Sequence, residues 1–211
     1  MIAPRCVGAL MAGGTARRFD GAPKGLAVVG GLRIADRVMA ALREATDLQL
    51  VVANDERAAR WFRGARIVPD DEAGVGPLAG LRSALAAADG AAVIVVAWDM
   101  PFVSGGLLSA LRALGESGAS AVAPVHGEPP VLEPLCAYYS PAALEQCDRL
   151  LALGERRAGA LFDALPGARQ FGGAALAALG DPDQLLCSVD TPDALAALGG
   201  KPPAGDDAAR R

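Results

Sequence analysis

Aromatic side chains make up only 4% of this 211-residue chain, although 52% of its residues are hydrophobic. Alanine supplies much of that fraction, so the core has to be built mostly from Leu, Val and Ala. There is one histidine, His126, in a stretch HGEPP that reads as a loop with no partner motif, and no direct role is expected for it. The four cysteines, Cys6, Cys136, Cys147 and Cys187, are scattered without a C-x-x-C pair, which argues against a zinc site and for reduced thiols in a cytoplasmic protein. No apolar run reaches the ~18 residues of a membrane span; the longest, AAVIVVAW at 91–98, has the length of a strand. A basic, apolar and then small-residue leader pattern is also missing from the N-terminus. Charged residues amount to 21% and the net charge is -4, too acidic for a broad nucleic-acid face. A small phosphorylated ligand stays possible, because local charge governs it.

What the chain does have is alternation. Segments 5–12, 48–54, 65–70, 91–101 and 119–125 read as strands, and 32–45, 56–62, 76–89 and 104–117 read as the helices between them. Pro77 sits in a first helical turn and Ser104 is placed to cap a helix. This order predicts an α/β class fold, a single-domain Rossmann-like three-layer α/β/α sandwich with a mostly parallel sheet. The second half is less regular. Segment 131–140 (VLEPLCAYYS) reads as an extended, antiparallel strand at an edge, and 141–154 and 155–165 as helices. Segment 185–198 (LLCSVDTPDALAAL) reads as a strand, then Asp190-Thr191-Pro192, then a helix capped by Thr191. The domain is expected over residues 1–199, with 200–211 a disordered tail.

In parallel sheets ligands bind beyond the carboxyl ends of the strands. The residues standing there are Gly13 and Gly14, Asn54, Asp70 and Asp99. Gly13 and Gly14 strip side chains from the first strand end, so backbone N–H groups can approach phosphates; Arg18 and Lys24 bring positive charge to the same loop. Neither G-x-x-x-x-G-K-S/T nor G-x-G-x-x-G occurs, so this is neither a P-loop nor a dinucleotide fingerprint. Arg18 and Lys24 are expected to hold a triphosphate, the arginine as a planar fork and the lysine as a point charge. Arg17 is peripheral. Asp99 ends the central apolar strand, where a carboxylate costs stability without a partner, so it is the leading candidate to hold Mg2+. Asp190 is a candidate second carboxylate or a loop brace. Trp98 reads as core on the opposite side of the sheet.

The segments LMAGGTARRFDGAPKG, GVGPLAGLRSAL, VAWDMPFV, EPLCAYYSPAALEQCDRLLALGERRAGALFDAL and SVDTPDAL resemble, in order, those of the molybdenum cofactor guanylyltransferases, a family within the Rossmann-like nucleotidyltransferases. The likeness runs to about Leu198. It departs from the family's opening L-A-G-G-x-S-x-R-M-G-x-x-K at Met11, Ala16, Phe19 and Asp20, with Gly21 a nearby substitute for the lost glycine. The resemblance implies transfer of GMP from GTP to the terminal phosphate of molybdopterin or Mo-molybdopterin, with pyrophosphate released and no covalent nucleophile. It implies a nucleotide site of Met11, Ala12, Gly13, Gly14, Lys24, Asn54, Asp70, Leu78, Ala79, Gly80 and Asp99. Asp70 would accept from guanine N1–H and its 2-amino group, although the run Asp70-Asp71-Glu72 leaves the register open by one residue. Arg18, Lys24 and Asp99 would be catalytic; Arg156 and Arg157 would either face the pterin or its phosphate or form a surface pair at a helix start, with Asp190 and Thr191 lining the pterin region. Proteins that deliver molybdopterin would be partners; nucleic acid and membrane would not.

Two other readings compete. One is a cytidylyltransferase, or a transferase acting on another phosphorylated acceptor; Asp70 discriminates it, because cytosine wants a different set of donors and acceptors. The other is a nucleotide-binding module without catalysis, for which Phe19 and Asp20 would be the evidence.

Overall fold

The computed structural model of the chain describes residues 5–13, 22–70 and 76–203. In chain order its elements begin with strand β1 (Cys6–Met11), the short strands β2 (Val28–Val29) and β3 (Leu32–Arg33), helix α1 (Ile34–Ala45), β4 (Leu48–Val52), α2 (Ala58–Trp61), β5 (Arg66–Val68), α3 (Pro77–Ala87) and β6 (Ala92–Ala97). They continue with α4 (Gly105–Glu116), β7 (Ala121–His126), β8 (Val131–Leu132), β9 (Cys136–Tyr139), α5 (Ala143–Ala152), α6 (Ala158–Ala164), β10 (Arg169–Phe171), α7 (Gly173–Ala177), α8 (Pro182–Leu185) and α9 (Pro192–Ala197).

The main sheet has the order β10-β7-β9-β6-β1-β4-β5, with β8 paired to β7. All its pairings are parallel except those of β9 with β6 and β7, and of β8 with β7. Both faces are covered, so the central strands are apolar throughout and successive side chains serve two cores. Along β1, Cys6 and Leu10 face one core, and Val7, Ala9 and Met11 the other. Along β6, Ile94 and Val96 face the first, and Val93 and Val95 the second. Helices α1 and α4 close the first core, and α3, α5 and α6 the second. Gly8 lets α1 approach closely: a Cβ there would lie 2.6 Å from Thr46 Oγ1 and 3.1 Å from the Leu42 side chain. Ser104 caps α4, accepting from the Leu107 N–H at 3.2 Å, and Thr191 caps α9, accepting from the Ala194 N–H at 3.1 Å with Pro192 in the first turn. This is the expected three-layer α/β/α arrangement.

Three expectations need correction. The antiparallel strand β9 is not at an edge but lies between β6 and β7. Its residues, Cys136 to Tyr139, are buried on both faces, which suits an inner strand; an edge strand would alternate. No strand forms after residue 185 among the described residues. Asp181 caps α8 through the Asp183 N–H and Pro182 starts it, so Leu185 closes a helix, and the following residues are held by the Val189 N–H bond to the Asp99 carbonyl at 2.9 Å. The ordered chain also runs past Gly200, because Lys201 exchanges backbone hydrogen bonds with Val28 at 2.8 and 2.9 Å. The strand β10, parallel to β7, was not apparent from periodicity over its three residues.

Candidate active site

The carboxyl ends of β1, β4, β5, β6 and β7 lie along one edge of the sheet. Asp99 comes just beyond β6 and is only 5% exposed. Lys24 opens a 3-10 turn, Lys24–Leu26, on the return from the glycine loop. Its Nζ meets Asp99 Oδ2 and donates to Asp190 Oδ1 at 2.8 Å. The lysine thus ties the β6 end to the segment before α9. Burial alone would lower the lysine's pKa, but the two carboxylates outweigh that and hold it above its ordinary value. Asp190 Oδ2 also accepts from the Ser188 hydroxyl at 3.2 Å. Asp99 Oδ1, by contrast, is buried with no hydrogen-bond partner among the described residues. A buried orphan carboxylate oxygen is costly unless a ligand completes it.

The chemistry of this pair fits a magnesium ion, which is commonly held by one or two carboxylates while substrate phosphates and water fill the remaining positions. Among the described residues no group of three or more His, Cys, Asp or Glu could hold a metal ion, so a dedicated all-protein cage is not what these residues offer.

On the β5 side, Asn54 follows β4 and its Oδ1 accepts from the Asp70 N–H at 2.8 Å, which fixes the backbone of the proposed base-reading residue. Gly80 in α3 gives Met11 and Asp70 room: a Cβ there would be 2.9 Å from Met11 Cε and 3.7 Å from Asp70 Oδ2. Ala12 donates to the Val52 carbonyl at 2.9 Å, and a Cβ on Gly13 would meet nothing within 4 Å. Met11, Ala12, Gly13, Asn54, Asp70 and Gly80 therefore gather at the ends of β1, β4 and β5. Leu78 and Ala79 are almost fully buried, and the Leu78 N–H and carbonyl are taken by the Arg156 carbonyl and the Cys147 thiol. Gly14, Arg17, Arg18, Phe19, Asp20, Asp71 and Glu72 lie outside the described residues.

The pair Arg156 and Arg157 sits at the start of α3. The Arg156 carbonyl accepts from the Leu78 N–H at 3.1 Å, and Gly76 is needed beside it: φ is +131°, and a Cβ would lie 2.9 Å from that carbonyl. Both arginines turn back on Glu155, whose carboxylate accepts from Arg157 Nε and Nη2 at 3.1 and 2.8 Å and from both arginine N–H groups. The Arg157 fork, with those N–H groups, holds the Glu155 carboxyl down to about 2. Thr191 spends its hydroxyl on the α9 cap.

Two features escaped the sequence reading. His126 ends β7 rather than lying in a loop, and it has partners: its Nδ1 is 3.0 Å from Asp183 Oδ1 and its Nε2 3.3 Å from Glu133 Oε1. The pairing joins residues 57 positions apart, so no local motif announces it. Trp98 is core, but it lies under the Lys24 turn: a Cβ on Gly25 would sit 2.4 Å from its ring, and its other neighbour is Trp61 at 6.3 Å between centroids.

The model of the MobA-like NTP transferase domain matches residues 8–170, spanning the glycine loop, Lys24, Asp70 and Asp99. The chain belongs to this family. It is accordingly a nucleotidyltransferase enzyme. Over 153 residues it is 36% identical to a "probable molybdenum cofactor guanylyltransferase" of Chloroflexus aggregans, covering 71% of this chain and 73% of that one. Over 173 residues it is 31% identical to the molybdenum cofactor guanylyltransferase of Burkholderia vietnamiensis, covering 76% and 83%. Among solved structures, the molybdopterin-guanine dinucleotide biosynthesis protein A of Archaeoglobus fulgidus superposes with a TM-score of 0.75 at 26% identity, covering 91% of this chain and 96% of that one. No helix among the described residues is long and apolar enough to cross a membrane.

Proposed function

We propose that this nucleotidyltransferase moves GMP from GTP to the phosphate of molybdopterin, or of its molybdenum-bearing form, in a Mg2+-dependent reaction that releases pyrophosphate. The observation that carries the reading is Asp99: a buried carboxylate at the end of the central strand, one oxygen held by Lys24 and the other buried without a hydrogen-bond partner among the described residues. When bound by Asp99, with Asp190 as a second carboxylate, Mg2+ would offset charge on the phosphate oxygens and the leaving pyrophosphate. Lys24 stands between these carboxylates. Lys24 and Arg18 would hold the triphosphate beside the carboxylates that hold the metal. Gly13 and Gly14 leave backbone N–H groups open to the phosphates. Positioning of two anions in line is the main task, so no side-chain nucleophile is needed.

Asp70, braced by Asn54, reads the guanine edge. Both carboxylate oxygens lie in one plane and accept from adjacent N–H donors, an arrangement cytosine does not match. The relatives named above for guanylyl transfer support this choice of base. The four free thiols suit a reducing, cytoplasmic setting.

The reading is tested by calorimetry of GTP, CTP and ATP, each with Mg2+, against wild type and Asp70→Ala. GTP is expected to bind at least about tenfold tighter than CTP, with the preference lost in Asp70→Ala. Equal or tighter CTP binding by the wild type overturns the guanylyl assignment.

A further inference from the structure

Farther along the same sheet edge lies a cavity of about 390 Å3. Val125, Leu176, Pro130 and Pro182 make apolar walls, and His126 and Asp183 are its polar groups. It opens at the end of β7. That strand is two places from β6 in the sheet, about 10 Å away at ordinary strand spacing. The Asp70 site lies on the opposite flank, at the end of β5, three places from β6. The centre at Lys24 and Asp99 thus lies between the Asp70 region and this cavity.

The polar groups of this cavity are held from behind. The His126 side chain is 16% exposed and lies between two carboxylates, Asp183 in front and Glu133 behind. Glu133 is largely buried, and its backbone N–H is fixed on the Pro124 carbonyl at 3.0 Å. Burial raises its carboxyl above the usual range, His126 opposes that, and the charges of Asp99 and Asp190 add to the rise. Burial alone would lower the His126 pKa, but its two carboxylates outweigh that and raise it. The Asp183 side chain itself is 77% exposed, at the mouth of the cavity. The arrangement holds Asp183 by Oδ1 and leaves Oδ2 without a partner among the described residues.

A flat carboxylate at the mouth of an apolar slot complements a planar heterocycle that presents two adjacent N–H donors. The 2-amino-4-oxo edge of a pterin has this pattern, and guanine shares it. The product of the proposed reaction would carry two such edges, and the protein offers one carboxylate for each.

We infer that this cavity receives the pterin ring of the acceptor and that Asp183 reads its 2-amino-4-oxo edge, with His126 and Glu133 as positioning residues. This rests on the guanylyltransferase reading above for the identity of the acceptor.

The test uses the full chain and 6-hydroxymethylpterin, followed by its fluorescence. Lumazine, which has a 2-oxo group where pterin has the 2-amino group, is the comparison. GTP binding with Mg2+ is measured alongside. Wild type is expected to prefer the pterin over lumazine by about tenfold or more, because lumazine turns an acceptor toward the carboxylate. Asp183→Asn should abolish that preference, His126→Gln should weaken pterin binding severalfold, and both should bind GTP within about twofold of wild type. The assignment is overturned if wild type binds no pterin, if Asp183→Asn keeps the preference, or if pterin and GTP binding fall together. A failure of the guanylyl reading shows itself separately, as CTP preferred over GTP while the Asp183-dependent pterin preference stands.

Discussion

Two charged clusters near the sheet edge are built in opposite ways. Glu155, Arg156 and Arg157 are chain neighbours in an exposed turn, and the Arg157 side chain is 81% exposed. Their side-chain hydrogen bonds are made within two residues, so the turn accounts for them without a ligand. Lys24, Asp99 and Asp190 come from distant parts of the chain, with 166 positions separating Lys24 from Asp190. The Lys24 and Asp99 side chains are 18% and 7% exposed. Exposed ion pairs contribute little, whereas burying charges costs several kcal/mol that their mutual attraction only partly offsets. The local cluster is explained by its own geometry. The buried Lys24–Asp99 pair has no such local account, and the proposed function supplies one in the anions and the cation it would hold.

The sharpest way to break this contrast is to remove the lysine. Lys24→Met should destabilise the fold by about 3 kcal/mol in chemical denaturation, because Asp99 is left buried and uncompensated. Adding Asp99→Asn to that variant should recover more than half of the loss. Nucleotidyl transfer should fall by about 10²-fold or more in either single variant. A Lys24→Met protein as stable as wild type would place the pair among the weak surface bridges. The pH dependence follows from the same contacts. Lys24 is held above its ordinary 10.5, so the contribution of its ion pairs is fully present below that value and fades as pH rises through the higher folded one.

A smaller effect is expected at the support of the buried cluster. Gly25→Ala drives a methyl group into the Trp98 ring, and overpacking of this kind costs about 1–3 kcal/mol. Thermal unfolding measures it, and an unchanged melting temperature would mean that the Lys24 turn moves freely off the tryptophan. The smallest effect belongs to the exposed cluster. Arg157→Ala should leave the melting temperature unchanged, because exposed ion pairs contribute little. If acceptor KM nevertheless rises severalfold in that variant, Arg157 joins the acceptor site and the contrast between the clusters softens.

Much of the frame was legible. The apolar runs of β1, β4 and β6, the periodic faces of α1 and α4, the Ser104 cap and the Thr191-Pro192 helix start all follow from local chemistry. Asp99 stood out because an acid after an uninterrupted apolar strand demands a partner. The antiparallel strand was recognisable as extended, but its place between β6 and β7 was not, since extended segments of four residues say little about their neighbours. The short run before Asp190 looked like a strand because Leu185, Leu186, Cys187 and Val189 are apolar. The Asp181 cap and Pro182 turned its beginning into a helix instead. His126 looked idle because its partners are elsewhere in the chain.

The sequence by itself determined the alternation of strands and helices, their caps, and the set of acids, amides and glycines at the strand ends. These depend on spacing and local hydrogen bonding over a few residues. Only the tertiary structure decided that Lys24 closes on both Asp99 and Asp190, that Asp99 Oδ1 is buried without a partner among the described residues, and that Glu133, His126 and Asp183 line up beside a cavity. Those meetings are fixed by how two apolar cores pack against one sheet, which brings distant segments to a common edge that no local pattern encodes.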